Sequence, residues 1–309
     1  MAHLGCIEEK YSPLAHLASI VCPWWMNPGD VILGMLSFAL DVGGDESRPV
    51  YTVAGFGSSE QDWRSFSELW SERLRQEGIT YFRAVEAAHF REQFQPFHDR
   101  PDREVWRKRL FEDLMDILKR HVYRKFGCSI INDALKKMDD DVTEEFSLSA
   151  YSLAGRTTEK TIRQWILSEW TKTTPVVIVF EAGDKGIGKL QKRLTEDGCF
   201  PPTFRPKKDT PGKDGIIEYG YVPLQAADWL AYELSIAVRQ IDAGEVEEIA
   251  QLRWPMQQFH STLGEPGVYG TENIKELEMN LKTTQEILKW EKSAGLDHLR
   301  AKRRRAASG

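Results

Sequence analysis

The hydrophobic pattern changes period along the chain. Val31 to Leu40 reads VILGMLSFAL, an apolar run without alternation that stops at Asp41. Such a run predicts a strand covered on both faces. A turn-rich VGGDESRP and then PVYTVAGFG follow, and two strands joined by so short a link predict a hairpin. After Ser58-Ser59-Glu60 the period becomes helical, with Trp63, Phe66, Leu69, Trp70 and Leu74 on one face and Gly78 as the stop. ITYFRAV (79–85) reads as a short strand. Residues 102–126 read as an amphipathic helix through Val105, Trp106, Leu110, Leu114, Ile117, Leu118 and Val122. CSIIND (128–133) predicts another strand, and residues 144–172 a helix with Gly155 as a candidate break. PVVIVFE is β-branched and apolar up to Glu181, and a glycine-rich turn and the helix KLQKRLTEDG come after it. Residues 200–215, rich in Pro, Lys, Asp and Gly, predict a loop, and IIEYGYV (216–222) a strand. Pro223 is suited to the first position of a helix, here LQAADWLAYELSIAVRQI, and residues 271–292 give a last amphipathic helix.

A hairpin followed by alternating strands and helices, with no internal repeat, predicts an α/β fold with a mixed sheet flanked by helices. The organisation expected is an irregular lead-in at 1–30, marked by Pro13, Pro23 and Pro28, and a domain over 31–243. A helical extension at 244–300 and a basic, disordered tail at 301–309 follow.

Composition narrows the classes. With 41% hydrophobic and 28% charged residues, the chain has enough apolar material for a packed core. The net charge of −6 argues against a surface that coats nucleic acid by charge alone, though not against local basic patches. Cys6, Cys22, Cys128 and Cys199 are far apart and form no CxxC pair, which excludes a zinc knuckle and predicts reduced thiols in a cytoplasmic chain. The start carries Glu8, Glu9 and Lys10 rather than a signal-peptide core. Pro23, Pro28 and Asp30 interrupt the apolar stretch 14–40, so no membrane span is expected.

Three acids stand where a carboxylate is awkward without a task. Asp41 and Glu181 end apolar strands, and Asp228 lies in a helix among Ala226, Ala227, Trp229 and Leu230. Strand ends are where α/β sheets present ligand-binding groups. Carboxylates brought together repel unless a cation neutralises them, and oxygen donors suit Mg²⁺ or Mn²⁺. Taken singly, each acid has a plainer reading as a turn former or helix cap. Asp184, three residues past Glu181, is either a further metal ligand or a cap for the next helix.

Three blocks resemble the domain-of-unknown-function family 3800, thought to be ribonuclease-H-like. They are FALDVGG with VYTVAGFG and QDWRSFSELW, then VIVFEAGDKGIGKL, then PLQAADWLAYE, spanning Phe38 to Glu233. The resemblance implies a ribonuclease-H-like sheet and a carboxylate-held metal acting on phosphodiesters. Where the family usually has Asp-Glu-Ser-Gly after its first strand, this chain has Asp41-Val42-Gly43-Gly44 and then Asp45-Glu46-Ser47. Asp41 is preferred over Asp45 as the ligand because it ends the apolar run directly and leaves room for the hairpin turn.

The site expected is therefore Asp41, Glu181 and Asp228 as catalytic metal ligands, with Asp184 as a fourth ligand. Gln225, on the face of Asp228, and Lys185 and Lys189, after the Glu181 strand, are expected near substrate, and Arg205, Lys207 and Lys208 are further groups for phosphates. His89, and the pair His98 and Asp99, are weaker candidates. GDKGIGK lacks the GxxxxGK[ST] spacing, because Leu190 follows Lys189, which rejects a nucleotide-triphosphatase reading. Most of the tryptophans fall at core spacing, and Lys302 to Arg305 is as consistent with a solubilising end as with nucleic-acid contact. Two readings result. A nuclease acting on an unspecified nucleic acid requires the acids to converge; a non-catalytic module for a protein partner predicts that they point apart or pair with Lys and Arg.

Overall fold

A computed structural model describes residues 35–45, 47–170, 174–184, 186–212, 216–261 and 267–293 of the protein. The 1–30 lead-in with Cys6 and Cys22, Lys185 and the basic tail lie outside the described residues. Strand β1 (Leu36–Gly43) and β2 (Val50–Ser59) form the expected antiparallel hairpin, and β2 leads directly into helix α1 (Glu60–Gln76). The side chain of Ser59 caps α1 by accepting from the backbone N–H of Asp62.

After α1 come α2 (Ala84–His89), a 3-10 turn at Glu92–Phe97 and α3 (Arg103–His121). The strand expected at 79–85 is not formed. Two of its backbone N–H groups are taken by side chains of a later helix, Phe82 N–H donating to Gln225 Oε1 at 2.8 Å and Ala84 N–H to Asp228 Oδ2 at 2.6 Å, while Ile79 N–H bonds back to the Leu74 carbonyl and Thr80 N–H to Gln93 Oε1. The helix expected to reach residue 126 ends at His121, because β3 (Arg124–Ile131) is claimed by the antiparallel ladder with β2, Gly57 opposite Arg124. Short helices α4 (Asn132–Leu135) and α5 (Asp140–Glu145) precede α6 (Ala150–Glu169). The break in the expected 144–172 helix falls at Ser147, which takes a left-handed φ of 50°, with Ser149 capping α6. Gly155 continues the helix, and a Cβ there would lie 2.8 Å from Leu190 Cδ1.

The chain goes on through β4 (Val176–Glu181), α7 (Ile187–Glu196) and β5 (Pro202–Arg205). Thus the 200–215 stretch, expected to be all loop, supplies an edge strand of the sheet. A small ribbon, β6 (Thr210–Pro211) with β7 (Ile217–Glu218), replaces most of the strand expected at 216–222. Helix α8 (Pro223–Asp242) follows with Pro223 at its start, then α9 (Trp254–His260), β8 (Gly267–Tyr269) and α10 (Thr271–Ser293).

The main sheet has the order β5-β4-β1-β2-β3-β8. Only β2 runs antiparallel to its neighbours, so the strands ending near Asp41 and Glu181 lie side by side and parallel in one sheet. Alternation along β1 assigns its two faces. Phe38 faces Phe126 and Trp165, the side covered by α6 and α7. Ala39 packs with Val177 and Val179 of β4 and with Leu224 and Ala227 of α8. The fold is therefore an α/β sandwich of helices on both faces of a mixed sheet. Trp63, Trp70 and Trp229 are wholly buried, so packing accounts for them. Among the described residues no helix is long and apolar enough to cross a membrane, and Cys128 and Cys199 are free thiols.

Candidate functional site

The site is assembled by register. Leu40 of β1 pairs with Phe180 of β4, so the next residues, Asp41 and Glu181, stand next to each other at the carboxyl end of adjacent parallel strands. Asp41 shares its face of β1 with Ala39 and Gly43, the face on which α8 lies. Small residues let that helix approach: a Cβ on Gly43 would come within 2.0 Å of the Ala231 carbonyl oxygen. Asp228, one turn before Tyr232 and beside Ala227, is thereby brought over the end of β1. On the far side, Glu181 pairs with Arg205 in β5, and the chain leaves β5 through Pro206 to Lys207.

Lys207 is the centre of the arrangement. Its ammonium donates to Asp228 Oδ1 at 2.6 Å, Asp41 Oδ2 at 2.8 Å and Glu181 Oε2 at 3.0 Å. Asp41, Asp228 and Lys207 are all buried. The remaining oxygen of Asp41 accepts from the Val42 N–H, and that of Asp228 from the Ala84 N–H. Asp184 completes the cluster: one oxygen each of Asp41, Glu181 and Asp184 lie within 4.8 Å of one another. Asp184 Oδ2 is buried and has no hydrogen-bond partner.

Charge and burial act against each other here. Burial pushes the Asp184 carboxyl up to about 7, with the charge of Asp41 adding to it and Lys207 opposing. Burial also raises Asp41 to about 6, where Lys207 opposes and Glu181 adds. Asp228 is likewise raised by burial against the pull of Lys207. For Lys207 burial favours the neutral amine, but Asp41, Asp228 and Glu181 outweigh it and hold the pKa well above the ordinary lysine value.

The structure thus brings Asp41, Glu181 and Asp184 within reach of one ion, whereas Asp228, expected as a metal ligand, lies outside that group and joins it through Lys207. Asp45, the alternative to Asp41, is exposed in the hairpin turn, where it accepts from Ser47 and pairs with Arg48. Gln225 is committed within the protein: its oxygen accepts from Trp70 Nε1 and Phe82 N–H, and its amide donates to the Lys207 carbonyl at 3.0 Å. It fixes the backbone that carries Lys207. Lys189 is exposed on α7 and makes no ion pair with the cluster among the described residues. Lys207 itself is bound to carboxylates rather than free for phosphate, Arg205 is buried in β5, and Lys208 lies over the Tyr81 ring at 4.3 Å. His98 and Asp99 pair with each other at the surface.

Two clefts flank the end of β1 and share Val42, Gly44 and Asp45. One, of about 620 Å³, is lined by Tyr51, Gly183 and Asp184. The other, of about 870 Å³, runs past Asp228 along α8 and the loop before α2. The cationic lining of this second cleft was not read from the sequence, because its residues come from separate segments and none forms a motif. No family model matches this chain, and comparison with curated proteins and with solved structures gives no significant match.

Proposed function

We propose that the protein is a divalent-metal-dependent nuclease on a ribonuclease-H-like scaffold. The observation that carries the reading is the convergence of Asp41, Glu181 and Asp184 around a buried, unpartnered carboxylate oxygen. An orphaned anionic oxygen in a site of low exposure is costly, and a hard cation with oxygen ligands is the partner that would satisfy it. The donor set, all carboxylate, favours Mg²⁺ or Mn²⁺ over softer metals. A bound ion would supply an activated water and a counter-charge for the leaving oxygen of a phosphodiester. Asp41, Glu181 and Asp184 would hold it, and Asp228 would keep Lys207 in place beside them. The mixed sheet with one antiparallel strand, and acids from two adjacent strands and the covering helix, support the ribonuclease-H-like reading and the resemblance to family 3800.

Lys207 favours a second reading. Pairing of the acids with a lysine is what a purely structural cluster requires, and a tethered ammonium already neutralises part of the charge. On this view the protein is a binding module for a protein partner. Calorimetric titration with Mn²⁺ separates the two. The nuclease reading expects measurable binding that Asp41→Asn or Asp184→Asn weakens at least about tenfold, a loss of about 1.4 kcal/mol. It also expects cleavage of DNA, RNA or their hybrid with Mg²⁺ or Mn²⁺, little with Ca²⁺, and none by an Asp41→Asn/Asp228→Asn double variant. Wild type that takes up no Mn²⁺ would leave the structural reading in possession.

A further inference from the structure

The larger cleft beside the acids has the opposite charge. Arg48 from the hairpin turn, Arg83 and Arg91 from either side of α2, and Arg239 from the end of α8 line it, with His89 and Tyr232 between them. Asp228 is one of its lining residues, so the cleft touches the carboxylate cluster. In a chain with a net charge of −6, four guanidinium groups around one cleft of about 870 Å³ are a local reversal of the whole molecule's charge.

These arginines are only partly neutralised. Arg48 lies 3.6 Å from Asp45, and Arg83 3.6 Å from Glu86. Among the described residues Arg91 and Arg239 have no carboxylate within ion-pair distance, and both are exposed. The positive field is felt at His89, whose pKa is held below the ordinary value by burial and then by Arg91, Arg253 and Arg107. His89 and Tyr232 meet through Nε2 and the hydroxyl at 3.3 Å, placing two rings on the wall of the same cleft.

We infer that this cleft is a phosphate track for a single strand of nucleic acid, which it leads to the carboxylate cluster. The inference rests on the phosphodiester reading of that cluster. Guanidinium groups set along a groove match successive backbone phosphates, and ring faces between them suit unpaired bases. The concavity is of the size that encloses a small ligand or a short piece of one strand. A duplex needs a much broader contact surface than such a cleft offers. Without the arginines, a chain of this charge would repel its own substrate.

The test is fluorescence anisotropy with labelled oligothymidylate and oligouridylate in EDTA, so that no metal takes part. Wild type should bind at low salt and release as KCl is raised. Arg91→Gln/Arg239→Gln should bind roughly tenfold more weakly, with a salt slope smaller by about 1.4, or about 0.7 for each phosphate that is no longer neutralised. Lys108→Gln/Lys136→Gln, the same charge change on exposed lysines away from the cleft, should bind like wild type. Equal binding by wild type and the arginine variant, or polyglutamate competing as well as the oligonucleotides, would overturn the track. Calorimetry with Mn²⁺ on the same proteins keeps the two ideas apart. Arginine-dependent oligonucleotide binding by a protein that takes up no Mn²⁺ supports the track and removes the nuclease reading. Mn²⁺ uptake with no oligonucleotide binding does the reverse.

Discussion

Lys207 and Asp184 divide the work of the cluster. The lysine is the cation that two buried carboxylates and the half-buried Glu181 require in a metal-free protein, and removing one partner from a buried ionic group leaves the others uncompensated. Lys207→Met should therefore cost about 3–5 kcal/mol in EDTA, read by urea unfolding. Mn²⁺ should recover much of that loss, since a ligand that binds only the native state stabilises it by mass action. A variant as stable as wild type in EDTA would show that the ammonium is not what holds the acids. Asp184 has no such partner, and its raised pKa of about 7, against an ordinary 3.8, carries a pH signature. Between these values the folded protein keeps a proton that the unfolded chain has released, so this group's contribution to stability falls as pH rises through the window and is level above it. Lys207 adds no slope there, because a raised lysine pKa contributes fully at all pH values below the ordinary one. Asp184→Asn should thus match wild type only near pH 4, pull ahead through the window, and exceed its melting temperature most clearly near pH 8, in EDTA. A variant less stable than wild type at pH 8 would contradict the assignment. With Mn²⁺ the order at pH 8 should invert, because deprotonated Asp184 becomes a ligand.

At the scale of elements, the decisive contact is α8 on β1, which puts Asp228 within reach of Lys207. Gly43 makes that approach possible. Gly43→Ala would drive a Cβ into the Ala231 backbone and should destabilise by about 1–3 kcal/mol or more, as overpacking does. Gly188 in α7 has open space around it, so Gly188→Ala should be neutral or stabilising by up to about 1 kcal/mol. Thermal melts of the two variants check the pair, and equal melting temperatures would mean that the helix is not seated on Gly43. Much of this layer was legible in the sequence. Apolar runs ending in Asp41 and Glu181 marked two strands, and Pro223 with its alanines marked the helix that carries Asp228. Lys207 reads from the sequence only as a group for phosphate, since a lysine in a Pro/Gly-rich stretch looks solvated. Its role comes from β5 pairing beside β4, a long-range event with no local signal. The 79–85 segment misleads for a related reason. Its β-branched and aromatic residues fit a strand, but Gln225 and Asp228 capture two N–H groups that a ladder would have used. The arginines of the cleft share no periodicity at all, and only the tertiary fold collects them.

For the molecule as a whole, the described residues after Ala243 pack into the core with the central strands. They are helical in α9 and α10, as expected, but they also supply β8, which pairs parallel with β3 and covers an edge that would otherwise be open. Phe259 is fully buried and lies 5.9 Å from the Phe56 ring and 5.3 Å from that of Trp229. Val246, Leu252, Met256, Ile274 and Leu281 belong to the same buried cluster as the central strands. Burying each such side chain contributes about 1.5–3 kcal/mol. Several together are comparable with the whole stability of a domain, about 5–15 kcal/mol. A chain ending at Ala243 should therefore fail to unfold cooperatively, and its uncovered β3 edge should make it aggregate. The full chain should instead unfold in one step, with tryptophan fluorescence and far-ultraviolet circular dichroism giving coincident urea curves. Trp229 makes fluorescence a sensitive probe here, because it touches both α9 and the aromatic group around Phe82 and Phe111. Two separated transitions in the full chain, or a shortened chain as stable as the full one, would restore a boundary at 243 and make the C-terminal helices an added module.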